Sequence, residues 1–152
     1  MTKTTLNQIS EHVFWLAPDS TTDRPTLGAI VGQDATLMVD AGNSPAHANL
    51  FVGELAQKGL AKPNYVLLTH WHWDHVFGAS VFDAPLFAHT ETQRMLRELV
   101  QWEWSDEALD QRVEAGIEIE FCQDMIKAEL PDRSDLQLRI ADVSFAKQLE
   151  FD

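Results

Sequence analysis

The residues of this chain whose types and spacing can do chemistry are concentrated in one segment, Thr69-His70-Trp71-His72-Trp73-Asp74-His75. Three imidazoles and one carboxylate fall within six residues. Imidazole suits zinc and other first-row metals, and a carboxylate can join it on a second ion. His70 and His72 are two apart, so in an extended segment they project to one side and can chelate one ion, with Trp71 and Trp73 on the other side. Asp74 and His75 point elsewhere once the chain turns, and can serve a second ion nearby. Two ions side by side polarise a carbonyl or phosphoryl oxygen and lower the pKa of a bridging water, which gives a hydroxide nucleophile near neutral pH. The bland alternative is a set of polar surface histidines beside two packed tryptophans; the density of ligand-type residues argues against it. Trp71 and Trp73 themselves read as packing groups rather than as a substrate platform.

The elements that must position this segment are legible around it. Residues 6–9 and 13–16 read as two short strands. Residues 26–32 and 36–40 read as a hairpin that turns at Gln33-Asp34-Ala35. Ala41-Gly42-Asn43-Ser44-Pro45 breaks the second strand, and Ser44 caps a helix with Pro45 in its first position. That helix runs to about Lys58, where Gly59 ends it; Ala48, Phe51, Val52, Leu55 and Ala56 make its apolar face. Tyr65-Val66-Leu67-Leu68 is a continuous apolar run, which predicts a strand covered on both sides. The histidine cluster follows, turning into a short helix ended by Gly78. Pro85-Leu86-Phe87-Ala88 predicts another inner strand. Thr90, with Gln93 three residues on, has capping-box spacing and opens a helix through about Val100. Ser105-Asp106-Glu107 opens a further helical region, in which Leu109, Val113, Ile117, Phe121 and Met125 keep a four-residue spacing. Gly116 is a point of interruption and Pro131 stops it. Residues 135–152 alternate as strands do. The order of elements indicates an α/β fold. In open α/β sheets functional groups gather beyond the carboxyl ends of strands. Asp40 and the His70 to His75 cluster both sit at such ends, so they are predicted neighbours.

Length and composition bound the rest. A chain of 152 residues with 45% apolar residues predicts one domain with a real core. No run of eighteen apolar residues predicts a membrane span. The first residues lack the basic and apolar regions of a signal peptide, so a cytoplasmic location is expected. The net charge is −13, from 24 acidic and 11 basic residues, which argues against binding nucleic acid through its phosphates. The single cysteine, Cys122, reads as a small core residue in a helix. His12 and His47 have no motif context and are expected to be exposed.

The pattern His-x-His-x-Asp-His resembles the metal-binding signature of the metallo-β-lactamase superfamily. The early hairpin, the strand ending in Val39-Asp40-Ala41-Gly42, the helix after it and the ligand loop come in that family's order, so the resemblance covers the whole chain. It implies the N-terminal half of an αββα sandwich, a mixed sheet with helices on one face, in a domain spanning residues 1–152 that stops before its C-terminal half. By the same resemblance His70 and His72 bind the first metal, and Asp74 and His75 the second. Asp74 is then also the catalytic residue that holds or deprotonates the attacking water. Asp40 resembles the family's first-motif aspartate and supports the ligand loop from behind the metal; accepting bonds from turn amides is a second, compatible role. The implied cofactor is one or two Zn2+, with Fe or Mn also accepted by these donors.

In that family the second half supplies a third histidine to the first metal, a bridging aspartate and a last histidine. After Ser80 this chain has only His89, a further candidate ligand whose more ordinary role is capping the next helix. Two histidines alone leave an ion short of the usual three protein ligands. Half a sandwich also leaves a sheet face uncovered, which predicts a partner: a homodimer, or association with the missing C-terminal half. The expected function is a metal-dependent hydrolase, or a fragment of one, acting on a small-molecule ester, thioester, lactone, β-lactam or phosphoester. An iron-carrying reductase branch is also compatible. The alternative is a catalytically inactive metal-binding or interaction protein that dimerises through its open face. Neither nucleic acid nor a membrane is an expected partner.

Overall fold

The computed structural model describes residues 6–151. Four strands form an antiparallel meander: β1 (Leu6–Gln8), β2 (Val13–Leu16), β3 (Leu27–Val31) and β4 (Thr36–Val39). Three more, β5 (Tyr65–Leu67), β6 (Leu86–His89) and β7 (Val143–Phe145), join β4 in parallel, so the sheet is mixed and its strands lie in chain order. The helices are α1 (Pro45–Gln57), α2 (Trp73–Val76), α3 (Thr90–Leu99), α4 (Asp106–Glu114) and α5 (Glu120–Glu129), with a 3-10 turn at Ala79–Val81. Parallel neighbours need crossovers. Helix α1 supplies one between β4 and β5, α2 with the 3-10 turn the next, and α3 to α5 the last. No helix among the described residues is long and apolar enough to cross a membrane.

Local chemistry explains the element ends. Gly32 N–H donates to the Ala35 carbonyl at 2.8 Å and closes the β3–β4 turn. Ser44 Oγ accepts the His47 N–H at 3.0 Å, with Pro45 in the first helical position of α1. Helix α3 begins one residue away from the capping-box expectation. His89 is the cap, its Nδ1 accepting the Glu91 N–H at 3.2 Å, and Thr90 is already helical. Gln93 is turned inward instead. Its Nε2 donates to the Ala141 carbonyl at 3.0 Å and its Oε1 accepts the Ala141 N–H at 2.7 Å, pinning the tail to the helix.

The interruption expected at Gly116 is present: the region after Ser105 is two helices, because Gly116 takes a left-handed φ of 69° and ends α4. That break turns the apolar stripe off the core, leaving Ile117 and Phe121 62% and 54% exposed while Leu109 and Ile126 are fully buried. The tail forms a single short strand, β7. Side chains tie it down ahead of that strand: Arg139 donates to the Phe82 and Ala84 carbonyls, and Asp142 accepts the Leu86 N–H.

The core lies on one side of the sheet. Phe14, Leu27, Met38, Val66 and Leu86 are buried from β2 to β6, against Phe51 and Leu55 of α1, Leu96 of α3, Leu109 of α4 and Ile126 of α5. Each such side chain contributes about 1.5–3 kcal/mol of burial. The opposite face carries a row in register, Val13, Ile30, Leu37 and Tyr65, and beside it Val39, Leu67, Phe87 and Val143. These are half-buried or exposed. Strand β5 therefore alternates: the helices cover one face, and the other is half-buried, with the Phe151 ring of the tail 5.6 Å from that of Tyr65. His47 is corrected as well: it lies inside α1's buried face and is 1% exposed.

Candidate metal centre

The site is built at the carboxyl ends of β4 and β5. Asp40 leaves β4 with a φ of 63°, a left-handed conformation that aspartate tolerates better than most residues. Its N–H donates to the Leu67 carbonyl at the end of β5 at 2.8 Å. Ala41 N–H donates to the His75 carbonyl at 2.8 Å, and Gly78 N–H to the Gly42 carbonyl at 3.0 Å. The turn after β4 and the loop after β5 are thus zipped together, and Asp40 and the histidine cluster are neighbours as expected. Gly78 is needed for that closeness. A Cβ there would lie 2.1 Å from the Ala41 carbonyl oxygen and 2.8 Å from that of Ser44.

Asp40 bonds both to a turn amide and to a histidine of the cluster. Its Oδ1 accepts the Thr69 N–H at 2.7 Å, and its Oδ2 lies 2.8 Å from His75 Nδ1. Thr69 Oγ1 is within 2.9 Å of both Asp40 oxygens and of His70 Nδ1. A hydroxyl has one proton, and an ionised carboxylate only accepts. The consistent assignment has Thr69 donating to Asp40 and accepting from His70 Nδ1–H. Asp40 therefore sets the tautomer of two imidazoles, His75 directly and His70 through Thr69, with Nε2 left as the ligand nitrogen in each. A carboxylate behind an imidazole is the arrangement that orients metal-ligating histidines.

The rings of His70 and His72 are 4.7 Å apart and those of His70 and His75 4.1 Å apart. His75 Nε2 is 3.2 Å from Asp74 Oδ2. Two donors about 2.0–2.1 Å from a tetrahedral zinc lie about 3.3 Å apart, so this pair has the separation of ligands on one ion. Burial acts to lower the His75 pKa, but hydrogen bonds to Asp40 and Asp74 outweigh it and raise the imidazole to about 9. His70 is held below its ordinary value by burial and by the neighbouring His75 and His72. Among the described residues no three ligating side chains converge on one point as they stand. The donor types suit zinc, and one pair, His75 Nε2 and Asp74 Oδ2, has the spacing of two ligands on one ion.

His89 is not brought into the cluster. Its Nδ1 caps α3 and its Nε2–H donates to the Ala146 carbonyl at 3.0 Å, so neither nitrogen is free for an ion. Cys122 lies half-buried in α5, and burial with Glu118 nearby pushes its thiol up to about 11, far from a thiolate nucleophile.

Reading the sequence missed the groups that face the ligand loop. A cavity of about 360 Å³ borders His72 and Asp74, with Trp71, Trp102, Trp104, Asp23 and Glu118 among its walls. Burial raises the Asp23 carboxyl, and the Asp74 charge adds to the shift. Asp23 has a left-handed φ of 55°. Its neighbours Thr22 and Arg24 both bond to Glu129 of α5, which also accepts from Ser44. The Trp102-Glu103-Trp104 repeat and the Asp23-Arg24-Pro25 turn were the available signals.

The sequence profile described as metallo-beta-lactamase superfamily matches residues 23–143. No curated relative matches significantly. Solved structures share the fold at low identity. A subclass B3 metallo-beta-lactamase from a soil metagenome is 19% identical, with a TM-score of 0.51 over 61% of this chain and 36% of its own length. The metallo-beta-lactamase of Hirschia baltica is 17% identical, with a TM-score of 0.54 over 63% and 48%. The FIM-1 enzyme of Pseudomonas aeruginosa, solved in a mono-zinc form, is 14% identical, with a TM-score of 0.55 over 62% and 46%. This chain spans less than half the length of each of these structures. With the profile covering most of its length, and with the sheet and ligand loop in that order, the chain belongs to the metallo-β-lactamase superfamily.

Proposed function

We propose that the chain is a metal-dependent hydrolase, or a part of one, with His70 and His72 holding one ion and Asp74 and His75 a second. The observation that carries this reading is the Asp40 carboxylate, which orients both His75 and, through Thr69, His70. Bound there, one or two zinc ions would supply Lewis acidity toward a carbonyl or phosphoryl oxygen and acidify a water; iron or manganese suits the same donors. Asp74 borders the cavity and is the group that holds the attacking water and takes its proton. Thr69 and Asp40 keep the imidazoles in one tautomer. Trp71 and Trp104 wall off bulk water. The substrate is a small ester, thioester, lactone or phosphoester, and the setting is the cytoplasm, in keeping with one unpaired cysteine.

The test is metal content by elemental mass spectrometry on untagged protein purified without chelators, followed by a panel of small esters, thioesters and lactones. One or two ions per chain, lost in His70→Ala and His72→Ala, are expected. Metal at the blank level, or content unchanged in those variants, overturns the reading.

A second reading is favoured by the open sheet face, where Ile30 is 45% and Val143 42% exposed. On that reading the chain is an inactive metal-binding protein that associates through this face with a second copy or a further polypeptide. Light scattering on Ile30→Glu distinguishes the two. A dimer split by the substitution, with metal bound and no turnover, supports the interaction protein.

A further inference from the structure

Four of the chain's five tryptophans, Trp71, Trp73, Trp102 and Trp104, wall the single cavity beside His72 and Asp74. Its other charged walls are Asp23 and Glu118, and among the described residues no lysine or arginine lines it. We infer that this cavity takes the cationic, apolar end of the substrate, an ammonium group on an alkyl or aryl body, and leaves the hydrolysable bond at His72 and Asp74. The inference rests on the hydrolase reading and names its substrate class.

Three independent features point this way. Indole faces attract cations more strongly than other aromatic rings do, and more so when water is excluded. Asp23 is held over the cavity by a backbone that cannot easily relax: its φ is left-handed, and both its neighbours are tied to the buried carboxylate of Glu129. A carboxylate fixed in a partly apolar wall is costly without a counter-charge, and a ligand ammonium supplies one. Finally, Trp104 is buried and its Nε1–H has no acceptor, while the Trp73 N–H has only the Cys122 sulfur, a weak acceptor, beside it. An occupant bearing a carbonyl oxygen would satisfy a donor whose desolvation is otherwise unrecovered. The net charge of −13 also draws cations toward the molecule.

Arg112 opposes this. Its guanidinium stacks 5.0 Å from the Trp102 ring and 4.6 Å from Trp104, without lining the cavity. Its Nη1 donates to the Glu103 carbonyl, so it braces the two rings from its own helix.

The experiment is a fluorescence titration of the intact chain with three probes of one shape: 3-phenylpropylamine, 3-phenylpropan-1-ol and 3-phenylpropanoate. The amine should bind at least about tenfold more tightly than the alcohol, and the carboxylate most weakly. In Asp23→Asn with Glu118→Gln that preference should fall severalfold, and Trp102→Leu should weaken the amine alone. Circular dichroism on each variant separates lost binding from lost fold, and the three probes on the unaltered chain need no variant at all. Equal binding of amine and alcohol, tightest binding of the carboxylate, or no binding by any probe overturns the inference. Zinc content is measured on the same samples. Amine preference without metal leaves the cavity assigned and removes the hydrolase reading; metal without amine preference does the reverse.

Discussion

Asp40 Oδ2 lies 2.8 Å from His75 Nδ1, across 35 residues of sequence. The bond joins the residue after β4 to α2, beyond the loop that follows β5, and it determines which nitrogen of His75 is available as a ligand. The same carboxylate reaches His70 through Thr69. Asp40→Asn keeps a residue that tolerates the left-handed backbone but removes the charge. We expect zinc affinity to fall about 10–100-fold, measured by competition with a chromogenic chelator. Unchanged affinity would show that Asp40 serves only the turn.

His72 is exposed, and its ring lies against those of His70 and Trp71. His72→Ala should lose metal from the first site while the melting temperature of metal-free protein moves by less than about 2 °C. A large drop in metal-free stability would mean that the ring is structural.

His47 makes stability depend on pH. Burial first, and then the nearby Arg24 charge, lower its pKa from 6.5 to about 4. The folded value lies below the unfolded one, so the unfolded chain binds the extra proton between those limits. Stability is therefore complete above pH 6.5 and falls as the pH drops from 6.5 to 4, by up to about 3 kcal/mol. Urea midpoints of the parent chain and of His47→Gln, taken at pH 7 and pH 4.5, should show the parent losing more. Equal losses would remove His47 as the cause.

Gly78→Ala tests the zipper between the turn after β4 and the ligand loop. The φ of Gly78 is −82°, so backbone strain is not at issue. The obstacle is the 2.1 Å approach to the Ala41 carbonyl oxygen, which is backbone and cannot swing away. Overpacking of this kind costs about 1–3 kcal/mol or more. The variant should melt lower and lose zinc affinity together; loss of neither would show that the loop yields freely.

Local signals were legible wherever one residue type dictates the backbone. Ser44-Pro45 begins α1, Gly116 breaks the later helical stretch, and the β3–β4 hairpin follows from its flanking apolar runs. The candidate ligand set was legible because ligation needs particular side chains at short spacing, and His70, His72, Asp74 and His75 fall within six residues. Two neighbours offered a cap for α3, Thr90 by its capping-box spacing and His89 by its position, and the imidazole takes the role because its Nδ1 accepts the Glu91 N–H while Thr90 is already helical.

By itself the sequence determined the order of elements, the family and the place of the histidine-rich segment, since each depends on residues close together in the chain. Only the tertiary structure decided the rest. It buried His47, engaged both nitrogens of His89, set the tautomers of His70 and His75, and brought Asp23 and Trp104 to one cavity beside the loop. Those outcomes depend on hydrogen bonds and packing between segments tens of residues apart, and no periodicity or spacing along the chain records which partner a side chain meets when the sheet closes.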